Sequence, residues 1–218
     1  MKNILCFGDS NTWGYIPGTG NRFSEGTRWT SILQNNLGYE YKILEEGLCG
    51  RTSVFDDRTR PDRNGIKSLP GILENAGDID AAIIMLGTND CKSYYNASAK
   101  EIAAGVDKCV QEIIKHVPAE KVIVVSPILL GEDVYLDSFD PEFSKKSVSV
   151  SKALKHEYEK ISLKRGTAFL AASDYVSASR EDMEHMNALG HSMFAKVITG
   201  KLQAVLAGSL LKEKIKTA

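Results

Sequence analysis

This chain lacks an excess of either charge. Its 27 Lys and Arg face 28 Asp and Glu, a formal net charge of -1, with the signs interspersed. That balance gives no support for a nucleic acid or an anionic membrane as partner. Long apolar runs are also missing, and no stretch approaches the length of a transmembrane helix. The apolar stretch after Lys2 is short and soon broken by a turn, so no secretory signal is read there. Cysteine is sparse: Cys6, Cys49, Cys91 and Cys109 are scattered, with no C-x-x-C pair and no metal-type spacing. A cytoplasmic protein with reduced thiols is expected, with Cys6 and Cys109 in the core and no cofactor. Repeats and linkers are absent too, so residues 1–218 are read as one domain. The basic cluster Lys212, Lys214 and Lys216 reads as a solvated helix end.

What the chain does have is strand and helix in alternation. Apolar runs at Ile4 to Phe7, Tyr41 to Leu44, Asp80 to Leu86, Lys121 to Ser126 and Ala168 to Ala171 read as five strands. The third is almost continuously apolar, as expected of a central parallel strand covered on both faces. Between them, Trp29, Ile32, Leu33 and Leu37 recur at helical spacing, and a short helix is expected over Ser68 to Asn75. Ser98-x-x-Glu101 is a capping box opening a helix striped by Ile102, Val106, Cys109, Ile113 and Ile114. Further helices are expected over Phe143 to Lys164 and Ala188 to Leu206. The expected fold class is α/β: a three-layer α/β/α sandwich around a five-stranded parallel sheet, in flavodoxin-like order 2-1-3-4-5.

Chemistry concentrates at three places. Gly8-Asp9-Ser10-Asn11 follows the first strand, placing a serine hydroxyl on a tight strand-to-helix corner. Gly87-Thr88-Asn89-Asp90 follows the third strand, and Asp182-Met183-Glu184-His185 precedes the last helix. Together they supply a nucleophile, an oxyanion donor, a base and an orienter, the parts acyl transfer needs. Gly50, at the end of the second strand, is a further oxyanion candidate beside Asn89, because a glycine lets the substrate approach the backbone closely. Each has a plainer reading: Ser10 as a helix cap, Asp182 as a cap beside a surface His185, Gly50 and Asn89 as turn residues. Those readings explain residue types, but not their convergence at strand ends. His191 is the rival base, placed inside the last helix. His116 and His156 read as helix-surface residues. Asp9 and Asp90 are expected to hold their loops through backbone N–H groups. Asp56, Asp57 and Asp62 alternate with Arg51, Arg58, Arg60 and Arg63, which suggests an ion-paired loop rather than a cation site, so no metal is expected.

These blocks resemble the SGNH hydrolase superfamily, the GDSL-type esterases and lipases. Gly8-Asp9-Ser10 is similar to its first block, with Asn11 where many members carry leucine. Gly47-Leu48-Cys49-Gly50-Arg51-Thr52-Ser53 is similar to the second, Gly87 to Asp90 to the third, and Asp182 to His185 to the last. Trp13-Gly14, Arg28-Trp29, Glu45 to Leu48 and Ile84 to Asp90 most resemble the bacterial arylesterase branch. The resemblance implies hydrolysis of short-acyl, acetyl-type esters, aryl esters included, with Ser10, Asp182 and His185 catalytic. It implies an oxyanion hole of the Ser10 N–H, the Gly50 N–H and the Asn89 side chain. A homo-oligomer acting on small-molecule esters, with acyl transfer to alcohols or peroxide, is implied as well. Nearness in sequence to these blocks marks Trp13, Cys49, Tyr94 and Tyr95 as pocket candidates. The last block departs from the family in Glu184, where a small or apolar residue is common. A sugar or xylan deacetylase of the same superfamily is the nearest alternative, a lysophospholipase or thioesterase a further one. A non-catalytic flavodoxin-like module binding phosphate after strand 1 is the alternative of another class.

Overall fold

Residues 1–208 are described in the computed structural model, so Lys212, Lys214 and Lys216 lie outside the described residues. Five parallel strands, β1 (Lys2–Gly8), β2 (Tyr41–Gly47), β3 (Ala81–Met85), β4 (Val122–Ser126) and β5 (Ala168–Ala171), form one sheet in the order β2-β1-β3-β4-β5. This is the order that the strand–helix alternation implied. Successive side chains of a strand point to opposite faces, and both faces here are covered. Leu5, Phe7, Ala82, Ile84, Val122 and Val124 pack under α3 (Gly65–Ala76), α4 (Ala99–Ile113) and α5 (Lys145–Arg165). Ile4, Cys6, Ala81, Ile83, Met85, Ile123 and Val125 pack under α2 (Trp29–Leu37) and α6 (Ala188–Leu206), through Trp29, Leu33, Phe194, Ile198 and Leu202. Ser98 and Glu101 cap α4 reciprocally, and Ser144 and Ser147 do the same for α5. Among the described residues no helix is long and apolar enough to cross a membrane.

The order reverses at β1, whose neighbours are β2 on one side and β3 on the other. Ligand crevices form at such a reversal, outside the carboxyl ends of the strands. The chain leaves β1 into a single helical turn, α1 (Ser10–Trp13), which ends at Gly14 in the left-handed conformation. That turn lies across the strand ends because two glycines leave room for it. A Cβ on Gly47 would come within 2.2 Å of the Trp13 nitrogen, and one on Gly8 within 2.1 Å of the Thr12 Oγ1.

Two departures from the sequence expectation bear on the site. Strand β2 continues past Leu44 to Gly47, pairing Glu45 with Cys6 and Glu46 with Phe7. The Glu45 carboxylate is accommodated because Arg22, Arg28 and the Thr30 hydroxyl converge on it. Helix α3 starts at Gly65, not Ser68; the Gly65 and Ile66 amides are tied to the carbonyls of Thr52 and Ser53.

Candidate active site

Ser10 is the first residue of α1, and its hydroxyl does not cap the helix. Asp9 is the cap: its Oδ1 accepts the Asn11 amide at 3.0 Å. Ser10 Oγ instead lies 2.8 Å from Nε2 of His185. The other ring nitrogen of His185, Nδ1, lies 2.7 Å from Asp182 Oδ2. Asp182 does not cap α6 either; Asn187 does, accepting the Gly190 amide. Asp182 closes its own turn, with Oδ1 accepting the amides of Glu184 (3.0 Å) and His185 (2.9 Å), while Oδ2 also accepts the Gly18 amide (3.2 Å). His185 is buried, not a surface residue.

The turn carrying Asp182 and His185 is held from three directions. Met183 sits at φ +61, a left-handed conformation that costs a non-glycine residue about 1–2 kcal/mol. Its amide donates to the Ser179 carbonyl, and its carbonyl accepts the Gly131 amide at 2.7 Å. The Met186 amide donates to Asn11 Oδ1 at 2.9 Å, linking the residue after His185 to the residue after Ser10. The Tyr15 ring covers the His185 imidazole, with centroids 4.3 Å apart. Neither Tyr15 nor this use of Asn11 was recognisable in the sequence, since both depend on the return of a segment some 170 positions away.

Electrostatics favour a charged imidazole. Burial alone would lower the His185 pKa, but the carboxylates of Glu184, Asp182 and Asp9 outweigh it and hold the value above 6.5. Burial likewise works to raise Asp182, yet its hydrogen bonds and the His185 charge keep it below the ordinary carboxylate value. Asp9 is pushed up to about 7 by burial, and its Oδ2 has no hydrogen-bond partner among the described residues. Glu184 is also raised by burial; its Oε1 is 3.8 Å from His185 Nε2.

The two other expected donors lie on loops that meet at Arg51. Gly50 adopts φ +81, which glycine enters without a Cβ clash. Asn89 Nδ2 donates to the carbonyl of Arg51, the next residue, at 3.2 Å. Asp90, as expected, holds its loop by accepting the Ser53 amide at 2.9 Å, and the Ser53 hydroxyl as well. Beneath the Asn89 loop, the buried Tyr158 hydroxyl of α5 donates to the Leu86 carbonyl at 2.9 Å.

The remaining candidates separate. Trp13 lies beside Tyr15 and under the Arg22 guanidinium. Tyr95 stacks on Phe55, and Tyr94 meets Tyr95 at a tilt, their ring centroids 4.3 Å apart. Cys49 is half-buried, with its thiol raised to about 11 by burial. His191 is fully buried, accepts the Trp29 amide on Nδ1, meets the Phe23 ring edge-on, and is lowered to about 4 by burial. The charged loop is ion-paired only in part. Asp57 pairs with Arg60 and Asp56 with Lys67. Arg51 instead lies over the Phe7 ring and donates to the carbonyls of Gly8 and Glu46, so it ties the ends of β1 and β2 together. Among the described residues no group of three or more His, Cys, Asp or Glu is arranged to hold a metal ion.

Residues 6–193 match the GDSL-like lipase/acylhydrolase family. No curated protein matches the chain by sequence. Among solved structures, the M. smegmatis aryl esterase is similar at 31% identity over 94% of this chain and 100% of its own, with a TM-score of 0.86. Est24, a carbohydrate acetylesterase from Sinorhizobium meliloti, is similar at 35% identity over 94% and 100%, with a TM-score of 0.86. A member of the lipolytic protein G-D-S-L family from Veillonella parvula shares the fold at 15% identity, over 90% and 95%, with a TM-score of 0.67. The order of the strands, the four sequence blocks and this match over most of the chain agree: the chain belongs to the GDSL-like lipase/acylhydrolase family, within the SGNH hydrolases and on their arylesterase side.

Proposed function

We propose that the protein is a serine esterase that hydrolyses short-acyl, acetyl-type esters, aryl esters included, through an acyl-enzyme on Ser10. The observation that carries this reading is the unbroken relay from Asp182 Oδ2 through both nitrogens of His185 to Ser10 Oγ, at 2.7 and 2.8 Å. His185 Nε2 takes the Ser10 proton as Oγ adds to the ester carbonyl. Asp182 fixes the tautomer that leaves Nε2 free to accept it, and stabilises the imidazolium that forms. The Ser10 and Gly50 amides and the Asn89 amide group stabilise the oxyanion, each by a few kcal/mol. The alcohol leaves with the proton from His185, and water releases the acyl group by the same route.

The phosphate-binding alternative meets a physical obstacle. The amide end of α1 is capped by the Asp9 carboxylate, so an anion there would face a buried acidic group. Removal of acetyl groups from sugars is the second reading, favoured by the 35% identity to a carbohydrate acetylesterase. The test is hydrolysis of p-nitrophenyl esters from acetate to octanoate, and of an acetylated sugar, by the native protein and by Ser10→Ala. Activity falling beyond short chains and lost in the variant is expected. Activity surviving in Ser10→Ala overturns the reading; a strong preference for the sugar ester moves it to the second.

A further inference from the structure

Glu184 has no part in the relay, yet it stands beside it. The residue is 7% exposed. Its amide belongs to the Asp182 turn, and its carboxylate lies on the Nε2 side of His185, Oε1 to Nε2 being 3.8 Å. The same nitrogen is 2.8 Å from Ser10 Oγ. At 3.8 Å, Oε1 is too far for a direct hydrogen bond to Nε2. Among the described residues no donor engages this carboxylate, and the cation whose charge it feels, Lys92, is paired with Glu142. A separation of 3.8 Å is one that a single small oxygen can bridge. An oxygen about 2.8 Å from each atom subtends roughly 85° between them, near enough to the angle of one water for both of its hydrogens to be donated.

We propose that Glu184 selects the acyl acceptor: after Ser10 is acylated, it accepts the second hydrogen of the attacking water, and so favours hydrolysis over acyl transfer to simple alcohols. The proposal rests on the acyl-enzyme reading above. In the step itself, the water oxygen bonds to the acyl carbonyl carbon while one of its protons passes to His185 Nε2. Its other O–H bond stays intact and is donated to Glu184. The tetrahedral intermediate then collapses, the bond from carbon to Ser10 Oγ breaks, and His185 returns the proton to Oγ. The carboxylic acid leaves with the hydrogen that Glu184 held. A monohydric alcohol has one O–H to give. Once that is spent on Nε2, its alkyl group is left against the carboxylate, which loses a hydrogen bond and gains an apolar neighbour. The same asymmetry applies between the two half-reactions. The leaving alcohol of the first step has no second hydrogen to offer, so Glu184 acts on release of the acyl group.

The experiment follows p-nitrophenyl acetate turnover in water containing ethanol, with p-nitrophenol, acetic acid and ethyl acetate all quantified. The native protein, Glu184→Gln and Glu184→Leu are compared. Glu184→Leu is expected to raise the ratio of ethyl acetate to acetic acid about tenfold and to lower kcat by a similar factor, with KM falling alongside it, the scale of one lost hydrogen bond. Glu184→Gln, whose amide oxygen can still accept, is expected to fall between the two and also serves if the leucine variant does not fold. An unchanged product ratio in both variants overturns the proposal. So does a change of kcat/KM in either direction at constant ratio, because charge acting on His185 alone would alter both half-reactions alike. Failure of the acyl-enzyme reading is seen separately, as a native protein without an initial burst of p-nitrophenol and a Ser10→Ala variant that keeps activity.

Discussion

Replacing Asp182 by asparagine isolates the part that the carboxylate plays. Asp182 accepts four N–H groups: Oδ1 takes the Glu184 and His185 amides, and Oδ2 takes the Gly18 amide and His185 Nδ1. Asparagine offers one acceptor oxygen and one donor group. With its NH₂ in the Oδ1 position, two backbone donors face a donor, at about 1–3 kcal/mol each. With its NH₂ in the Oδ2 position, only the Gly18 amide is opposed, because imidazole can answer by moving its own proton. The second arrangement therefore wins, and it places the His185 proton on Nε2. That nitrogen then donates to Ser10 where it has to accept. The expected loss of stability is about 1–3 kcal/mol, a fall in Tm of about 2–4 °C per kcal/mol in a chain of this size. The expected loss in kcat is about 10⁴-fold, the scale at which a wrong tautomer disables a serine triad. Urea unfolding and p-nitrophenyl acetate kinetics on the same preparation measure both. A well-folded variant losing less than about tenfold in kcat would refute the argument that Asp182 sets the tautomer.

Two further predictions concern pH. Because Glu184, Asp182 and Asp9 hold His185 above 6.5, and only neutral imidazole can take the Ser10 proton, kcat/KM for a short-acyl ester rises with pH through an apparent pKa above 6.5. Glu184→Gln removes one of those charges and moves this limb down; a native limb at or below 6.5 contradicts the electrostatics described. Asp9, raised from 3.8 to about 7, binds its proton more tightly in the folded state. Its contribution to stability is thus fully present below about pH 4 and is lost as pH rises through about 7, a change worth up to about 4 kcal/mol. Asp9→Asn, which cannot titrate, is expected to be more stable than the native protein near pH 8, with the gap closing near about pH 4. Urea unfolding at the two pH values checks this, and an equal gap at both would be the wrong result.

The sheet was legible because its signal is local. Strands covered on both faces read as apolar runs such as Ala81 to Met85, and the alternation of strands with helices restricts the topology to a few choices. The candidate triad was legible because two short blocks, one just after the first strand and one just before the last helix, carry its three reactive side chains where a parallel sheet gathers its loops. What stayed hidden depends on contacts between distant segments. Glu45 and Glu46 hide the last turn of β2's pairing, since two adjacent acids look like loop until Arg22, Arg28 and Thr30 are seen to meet Glu45. Arg51 looked like one partner in a charged loop, but it is a buried clamp on two strand ends. Tyr15 over His185 leaves no mark at all in the neighbourhood of either residue. The departure at Glu184 was visible in the sequence, but its meaning required the distance to Nε2.

The central claim is a covalent acyl group on Ser10, and the direct measurement is mass analysis of the protein quenched during turnover of p-nitrophenyl acetate. One acetyl group per chain, mapped to the peptide containing Ser10 and absent from Ser10→Ala, is the predicted result. Turnover with no acetylated Ser10 peptide, or with acetyl on another residue such as Cys49, would contradict it.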